Sequence, residues 1–381
     1  MRIAMLSRAP PTRCGVAEYS SMLIEALRSA GVDAFFIANR EDKPETYTRD
    51  PYSGAPAKPC FVSGRPGFSG DVLECVRELD PDIVHIQHEY GIFPSNIEML
   101  SMLRELRRLG TKIVITMHSV AHALYGSEYV EFHRRLQDLV DAIVVHSPIQ
   151  HTELLFQGVR ARKLRVIPHG TLINPFTKIL DREKALRKLG IDLDPSRPIM
   201  TTPGFVRADK GLDTLVKTFK IVRRSYDVQL LLMGEEQDES GVLSFVEKTL
   251  SDEDRGSYAL MKGFLPRESM LAMLSAVDIV VLPYRDRNVL SVSGTLHLAI
   301  GSRRSVICTE TPRLVECYTH APSLAVPEPE PEDLAKRIVA VLEGGDEVRR
   351  DLERLWRYGE ETSWDRVAEK HRRLYVEVLE R

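Results

Sequence analysis

The first half of the chain alternates short apolar runs with longer segments in which apolar residues recur every three or four positions. The short runs predict strands, and several are apolar on both faces, as expected for strands covered by helices. The longer segments predict helices, and strand–helix–strand repetition indicates a mostly parallel, doubly wound sheet. The predicted strands are Ile3–Leu6, Ala34–Ala38, Ile83–Ile86, Ile113–Thr116, Ala142–Val145 and Leu164–Ile167, and the predicted helices include Ala17–Ser29, Asn96–Leu109 and Tyr129–Val140.

A second alternating series begins after an interruption between Pro168 and Pro198. Another interruption, the proline-rich stretch Arg40–Pro59, predicts a long surface loop within the first series. The second series has predicted strands at Ile199–Thr202, Gln229–Met233, Tyr258–Lys262, Ile279–Pro283, Ser305–Thr309 and Ser323–Ala325, and predicted helices at Leu212–Arg224, Arg267–Ala276, Gly294–Ser302, Pro331–Leu342, Glu347–Tyr358 and Trp364–Leu379.

The chain is therefore expected to form two α/β domains, each a doubly wound, Rossmann-like sheet. We draw the first domain over residues 1–175, the second over 176–360, and a terminal helical segment over 361–381. In open parallel sheets, ligands bind beyond the carboxyl ends of the strands. Two such sheets are expected to face one another across a cleft, so the residues that follow each strand are the candidates for function.

Composition narrows the class of partner. The chain has 381 residues and a net charge of −3, so no excess of positive charge points to nucleic acid. Five cysteines without a CxxC pair fit a reducing cytosol, and no signal peptide or membrane-length apolar run is evident. We expect a cytoplasmic protein. Basic clusters at 104–108 and 160–165 would suit peripheral contact with anionic lipid at the inner face of the membrane, although such clusters are usually solvated faces.

Three common nucleotide and hydrolase motifs are missing from the positions where α/β enzymes carry them. Neither series opens with G-x-G-x-x-G after its first strand, which disfavours a nicotinamide or flavin enzyme. The sequence has no G-x-x-x-x-G-K-[ST] and no G-x-S-x-G, which disfavours a P-loop NTPase and an α/β-hydrolase.

Polar residues follow several strands of the first domain. The loop Pro10–Val16 leads into a helix, where a glycine and free N–H groups suit an anion, although an ordinary turn has the same pattern. Histidines follow or end four strands, at His88, His118, His146 and His169. Histidine suits proton transfer near neutral pH, but a single histidine often only bonds a backbone carbonyl. No ligand set with zinc spacing accompanies them, so a metal site is disfavoured.

The second domain has two candidate sites for an anion. The first is the glycine-bearing turn Thr202–Leu212, in which Arg207 and Lys210 precede a helix. A forked guanidinium, a compact ammonium and a helix N-terminus together suit a diphosphate, whereas the alternative is a capping loop with solvated charges. The second is Ser291–Leu296, where small hydroxyl residues begin a helix, and its alternative is a plain serine N-cap.

In this order and spacing, these motifs resemble the retaining glycosyltransferases of the GT-B fold, glycosyltransferase family 4 (group 1). The resemblance covers nearly the whole chain, from the loop at Arg8–Tyr19 through Val166–Gly170 to Ser363–Ala368. It implies that the second domain holds the nucleotide of a sugar donor, that the first binds the acceptor, and that the terminal helix crosses back to the first domain.

The resemblance also assigns roles to particular residues. It implies that His118 faces the donor sugar and that Arg207 and Lys210 bind the diphosphate, which makes these three the catalytic candidates. The implied acceptor side is His88, Glu89 and Tyr90, with no metal and no cofactor besides the donor substrate. Implied donor contacts are Gly15 and Val16 near the phosphates, Gly204 in the first turn, Gly263, Phe264 and Leu265 near the base, and Ser293, Gly294 and Thr295 at the distal phosphate.

One departure from the family pattern bears on activity. The family's usual pair of glutamates, eight positions apart, falls on Leu290 and Leu298 here. The expected function is metal-independent transfer of a sugar from a UDP- or GDP-sugar to a hydroxyl of a carbohydrate, glycolipid or small-molecule acceptor, with retention, in polysaccharide or glycoconjugate biosynthesis. The alternatives are a catalytically silent binding or scaffold protein of the same fold, which the two leucines favour, and a non-hydrolysing nucleotide-sugar epimerase.

Overall fold

The computed structural model describes residues 1–44, 46–237, 241–250, 254–286 and 289–381, and Glu45 of the predicted loop lies outside them. The chain divides into two compact units. The first contains Met1–Gly170, a short segment around Leu290, and Thr362–Arg381, and the second contains most of the chain from Thr171 to Glu361.

The first unit is built on a seven-stranded sheet in the order β3–β2–β1–β4–β5–β7–β8, and all its paired strands are parallel. Its central strands are apolar on both faces and almost wholly buried, as their composition predicts. The strands of residues 1–170 are β1 (Arg2–Ser7), β2 (Asp33–Asn39), β3 (Ala57–Phe61), β4 (Ile83–His88), β5 (Lys112–Met117), β6 (Ser119–Ala121), β7 (Ala142–Val145) and β8 (Leu164–Val166), and the helices are α1 (Gly15–Ser29), α2 (Phe68–Leu79), α3 (Asn96–Arg108), α4 (Ser127–Leu139) and α5 (Pro148–Phe156).

The second unit has a six-stranded sheet in the order β11–β10–β9–β12–β14–β15, again with parallel pairing throughout. The later strands are β9 (Ile199–Thr201), β10 (Gln229–Gly234), β11 (Tyr258–Lys262), β12 (Ile279–Leu282), β13 (Val289–Ser291), β14 (Ser305–Thr309) and β15 (Ala325–Val326), and the helices are α6 (Phe176–Ile179), α7 (Arg182–Leu189), α8 (Leu212–Val222), α9 (Val242–Thr249), α10 (Arg267–Ala276), α11 (Gly294–Gly301), α12 (Val315–His320), α13 (Pro331–Glu343), α14 (Asp346–Glu361) and α15 (Trp364–Leu379). Two doubly wound parallel units confirm the predicted fold class.

Three local predictions are wrong. The predicted strand Ser323–Ala325 begins too early, because Pro322–Leu324 form a 3-10 turn and β15 starts at Ala325. The last three residues of the predicted loop Arg40–Pro59 belong to β3, which pairs with β2 alone and therefore tolerates Pro59 at the edge of the sheet. The segment around Leu290, which the sequence analysis placed in the second domain, belongs to the first unit. There β13 pairs antiparallel with β6, so that Leu290 lies opposite Val120.

The terminal helix α15 packs in the first unit, where it lies against α1. A buried hydrogen bond of 2.7 Å joins the Tyr375 hydroxyl to His85 Nδ1, and the other ring nitrogen of His85 lies 2.7 Å from Thr116 Oγ1. A Cβ at Gly170 would lie 2.2 Å from the indole of Trp364, so only glycine fits beneath this ring. These contacts attach the last helix to the first sheet. No helix within the described ranges is long and apolar enough to cross a bilayer.

Candidate functional site

Glycines allow the strand ends of the second unit to approach one another closely. Gly204 follows β9 with φ +104°, and a Cβ on Gly234, at the end of β10, would lie 2.4 Å from the Gly204 carbonyl oxygen. A Cβ on Gly204 would in turn lie 3.2 Å from Thr295 Oγ1. The turn after β9 and the start of α11 therefore meet at one edge of the sheet, as predicted for two anion sites on the same domain.

Arg207 and Lys210 lie on the turn that leads into α8, and Asp209 lies between them. Arg207 donates to both carboxylate oxygens of Asp209, at 2.9 and 3.1 Å, and Arg313 donates to Oδ2 at 2.9 Å. Burial opposes ionisation of the Asp209 carboxyl, but Arg207, Lys210 and Arg313 outweigh it and lower its pKa. The carboxylate thus fixes two guanidinium groups at this strand edge.

The ammonium of Lys210 lies over the buried ring of Tyr284, with Nζ 3.7 Å from the ring centroid. Burial lowers the pKa of Lys210, and Arg313 adds to this effect, while Tyr284 and Asp209 oppose it. The Tyr284 hydroxyl lies 3.3 Å from Ser293 Oγ. Tyr284 therefore connects the lysine to Ser293 of the second anion site.

Ser293 is the N-cap of α11, where its hydroxyl accepts from the Leu296 N–H and its own N–H donates to the Arg313 carbonyl at 3.2 Å. The N–H groups of the first helical turn have no partner within the helix. Gly294 and Thr295 lie in that turn, so the helix presents donors and the positive end of its dipole beside the three cations. Arg207, Lys210, Arg313 and Asp209 together carry an excess of two positive charges.

The residues predicted to border the base follow β11 at the same sheet edge. Gly263 has φ +121°, which favours glycine, and its N–H donates to the Gly234 carbonyl at 3.0 Å. The Phe264 ring lies 6.1 Å from that of Phe205, and Leu265 packs on the core of the second unit. The structure thus brings together the second-domain site residues that the sequence predicts.

In the first unit, Gly15 begins α1 and is exposed, and a Cβ there would meet no atom within 4 Å. Packing therefore does not require glycine at this position. Val16 is half-buried and packs against the core.

His118 follows β5, and its Nε2 forms a hydrogen bond of 2.9 Å with Gln87 Oε1. Its ring lies 4.7 Å from Tyr19 and 5.2 Å from His146, centroid to centroid. Burial lowers the pKa of His118 well below its usual value, and His146 and His88 add to the effect. The imidazole is therefore neutral, and because a carboxamide oxygen accepts, Nε2 carries the hydrogen and Nδ1 is free to accept.

The three residues of the predicted acceptor side have different environments. His88 is fully buried among the rings of Tyr90, Phe93 and Phe132, so no nitrogen of His88 reaches the surface. Glu89 accepts from the Ser119 hydroxyl at 2.6 Å and from the Tyr90 N–H at 3.0 Å. The Tyr90 hydroxyl lies 2.9 Å from His133 Nε2.

The two leucines at the positions of the family's glutamates are packing residues. Leu290 is 6% exposed and belongs to the core of the first unit, and its carbonyl accepts from Gln150 Nε2 at 3.0 Å. Leu298 packs against the core of the second unit from α11. Neither position offers a polar group from its side chain.

Sequence reasoning missed Arg313, which the structure places beside Asp209. The signal was present, because Thr311, Pro312 and Arg313 come shortly after β14, and residues beyond strand ends are candidates throughout the chain. Within the described ranges, no group of three or more His, Cys, Asp or Glu side chains is placed to hold a metal ion.

Two units with parallel, doubly wound sheets and a cation-rich strand edge in the second unit define a GT-B glycosyltransferase. The family model "Glycosyltransferase Family 4" matches residues 14–171, and "Glycosyl transferases group 1" matches residues 197–344. The chain therefore belongs to the group 1 glycosyltransferases of family 4, as the resemblance of its motifs implies. No curated protein matches its sequence.

Solved structures with the same fold span the whole chain at low identity. A glycosyltransferase from Rickettsia africae has a TM-score of 0.77 at 16% identity, and sucrose-phosphate synthase from Thermosynechococcus elongatus has 0.76 at 17%, each comparison covering 99% of both chains. HepE of Anabaena, in complex with UDP, has a TM-score of 0.72 at 13% identity over 99% of this chain and 100% of HepE. These likenesses show the fold.

Proposed function

We propose that this protein is a retaining hexosyltransferase that moves a sugar from a UDP- or GDP-sugar to an acceptor hydroxyl without a metal ion or other cofactor. The acceptor class we propose is a carbohydrate, glycolipid or small molecule of polysaccharide or glycoconjugate biosynthesis. The observation that carries this proposal is the group formed by Arg207, Lys210 and Arg313 beside the N-terminus of α11. Anabaena HepE, with a similar fold, is bound to UDP-glucose in one of its structures.

The charge balance of this group suits a leaving diphosphate. As the bond from the anomeric carbon to the phosphate oxygen breaks, negative charge grows on that oxygen. Arg207 and Lys210, together with the first turn of α11, stabilise this charge more in the transition state than in the ground state. These fixed cations take the part that a divalent metal has in other transferases.

Retention follows if the acceptor attacks from the face that the diphosphate leaves. The acceptor oxygen then forms its bond to the anomeric carbon while the acceptor proton passes to the leaving phosphate oxygen. Both carboxylate oxygens of Glu89 accept hydrogen bonds, from the Tyr90 N–H and the Ser119 hydroxyl, and we propose no covalent role for this residue. The neutral His118 accepts a sugar hydroxyl at Nδ1 and orients the donor.

A second candidate function is a catalytically silent relative that binds a ligand but transfers nothing. Leu290 and Leu298 favour it, because their side chains pack in cores where the family pattern has two carboxylates. The retained pairing of Arg207 and Lys210 with Asp209 and Tyr284 favours the transferase over a relative that has lost the binding of a nucleotide diphosphate.

Replacement of Lys210 by Met tests the donor site. At a UDP concentration about 100 times the wild-type Kd, bound UDP adds about 2.7 kcal/mol to the free energy of unfolding. Loss of a charge-assisted hydrogen bond worth about 2 kcal/mol raises the Kd about 30-fold, so the same UDP concentration adds only about 0.9 kcal/mol to the free energy of unfolding of the variant. Because burial already opposes the charge on Lys210, we expect the melting temperature of the ligand-free variant to be no lower than wild type.

The matched control is Lys217→Met on α8, where an exposed ammonium lies 5.5 Å from the Phe245 ring centroid. Thermal melts with UDP and GDP, each with and without EDTA, measure both variants. A UDP- or GDP-induced shift that survives EDTA and Lys217→Met but is reduced by Lys210→Met supports the proposal. NMR of the product's anomeric proton then reports retention or inversion. If neither nucleotide stabilises the wild type at millimolar concentration, the silent relative replaces the transferase.

A further inference from the structure

The first unit has a polar cavity at the carboxyl ends of β1, β2 and β3. It has a volume of about 560 Å³, within the range of small-molecule sites. Each of the three strands supplies it with residues that lie at or just beyond the strand's last residue. The cavity is lined by Arg8, Pro11, Thr12, Arg13, Asn39, Glu41, Asp42 and Ser63.

Arg8 is held in place at this cavity by a relay from a carboxylate. Its Nε donates to Ser63 Oγ at 2.7 Å, and the Ser63 hydroxyl donates to Glu41 Oε1 at 2.8 Å. The two terminal nitrogens of Arg8 have no hydrogen-bond or ion-pair partner among the described residues. A half-buried guanidinium is thus oriented through one nitrogen while its forked end stays available to a ligand.

Lys43 brings a second cation to the same place. Its Nζ donates to Asn39 Oδ1 at 2.7 Å and to Thr12 Oγ1 at 3.0 Å, two side chains of the cavity wall. No described carboxylate forms an ion pair with this ammonium. Burial lowers the pKa of Lys43 to about 8, and Arg8 adds to the effect while Glu41 and Asp42 oppose it. Arg8 and Lys43 are therefore near enough to repel one another.

The lining carries both kinds of group that a phosphorylated sugar requires. Arg8 is a forked donor for a phosphate, because a guanidinium matches two of its oxygens, and the nearby ammonium of Lys43 adds a compact positive charge. Glu41 and Asp42 provide carboxylate oxygens that accept from sugar hydroxyls.

We propose that this cavity binds the acceptor of the transfer reaction and that the acceptor carries a phosphate group beside free hydroxyls. That the ligand is the acceptor rests on the proposed function, whereas the binding of a hydroxylated phosphate does not. The loop that supplies Arg8, Thr12 and Arg13 continues directly into Gly15, so one loop connects the cavity to the residue that the family resemblance places near the donor phosphates. The phosphate comes either from a soluble sugar phosphate or from a lipid with a polyol phosphate headgroup.

The test measures binding to the full chain by calorimetry. The probes are glucose 6-phosphate, glucose, inorganic phosphate, and phosphatidylcholine vesicles with and without phosphatidylglycerol, and UDP is titrated separately. The variants are Arg8→Ala and Lys43→Met, with Arg8→Lys to keep the charge but not the fork. Arg77→Ala is the control, because it removes the same charge from an exposed position on α2. Melting curves establish that each variant is folded.

We expect glucose 6-phosphate or the phosphatidylglycerol vesicles to bind more tightly than glucose and inorganic phosphate, and the better of the two identifies the source. Arg8→Ala and Lys43→Met should each weaken that binding about tenfold to a hundredfold. Arg77→Ala should leave it unchanged, and UDP binding should stay the same in all variants. Arg8→Lys should recover part of the affinity.

Two results overturn the proposal: no phosphate-bearing probe binds, or binding is unaffected by folded Arg8→Ala and Lys43→Met. If UDP binds normally in either case, the proposed donor site stands and only the cavity assignment fails. If the sugar phosphate binds as expected but UDP does not, the cavity assignment stands and the transferase proposal fails.

Discussion

His88→Phe tests whether the first of the predicted acceptor residues has a structural role. The His88 imidazole lies between the rings of Phe93 and Phe132, and both its nitrogens lack a hydrogen-bond partner among the described residues. Burial lowers the pKa of His88 to about 3, and His133 adds to the effect. A phenyl ring has nearly the same shape and no unsatisfied nitrogen, so the substitution removes a titration without opening a cavity.

The size of the effect follows from the two pKa values. An unfolded histidine has a pKa of about 6.5, so below that pH the unfolded chain takes up a proton that folded His88 does not. Stability is therefore lost as pH falls below about 6.5, and linkage gives about 2 kcal/mol for this residue between pH 8 and pH 5. In His88→Phe that contribution disappears. The stability of the variant relative to wild type should rise by about 2 kcal/mol over the same interval.

Urea unfolding at pH 8, 6.5 and 5 measures this difference, and the comparison cancels the titrations that both proteins share. His151→Phe on α5 is the control, because this ring is half-exposed. If the difference in unfolding free energy between His88→Phe and wild type does not change with pH, the conclusion that His88 is buried and neutral is refuted. Loss of transfer activity in a folded His88→Phe protein would return His88 to the acceptor site.

Two further predictions concern the second unit and the acceptor cavity. Gly211→Ala should destabilise the fold by more than Gly241→Ala. Both glycines have φ +67°, which costs alanine about 1 kcal/mol of strain, but only at Gly211 would the Cβ lie 2.2 Å from a backbone oxygen, that of Pro283. Urea unfolding compares the two variants, and equal losses of stability would contradict the clash. Binding of glucose 6-phosphate should weaken as pH rises through about 8, where Lys43 loses its proton, and the Lys43→Met variant should not show this loss. Calorimetry from pH 7.5 to 9.5 measures the affinity of both proteins, and a wild-type affinity that does not change with pH would contradict the prediction.

Most of the fold could be predicted because its strands carry a strong local signal. Runs such as Ile83–Ile86 are apolar on both faces, and a fully covered parallel strand requires this pattern. The strand β3 has no such signal, since Ala57, Lys58 and Pro59 suit an edge strand and a loop equally well. The pairing of β13 with β6 is invisible locally, because about 170 residues separate two three-residue strands.

The candidate site could be predicted as a set of strand ends but not as a set of environments. Position along the chain placed Arg207, Lys210 and Ser293 at one sheet edge, because parallel strands end on the same side. Position could not show that His88 points into a core while His118 bonds a carboxamide, since both histidines follow apolar runs. The burial of His88 depends instead on α4 and on the rings packed around the imidazole. Arg313 and Lys43 both lie beyond strand ends, but their roles come from Asp209 and Thr12, partners distant in sequence.

The proposed diphosphate site of the second unit and the proposed acceptor cavity of the first unit position their cations in the same way. In the second unit Asp209 holds Arg207 and Arg313, and in the first unit Glu41 holds Arg8 through Ser63. A carboxylate beside a phosphate site lowers its net charge, which on electrostatics alone weakens binding. Each carboxylate, however, fixes a guanidinium before the ligand arrives, so less side-chain entropy is lost when the anion binds. The carboxylates in both sites are thus compatible with anionic ligands, because the orientation they give the guanidinium groups offsets the positive charge they cancel.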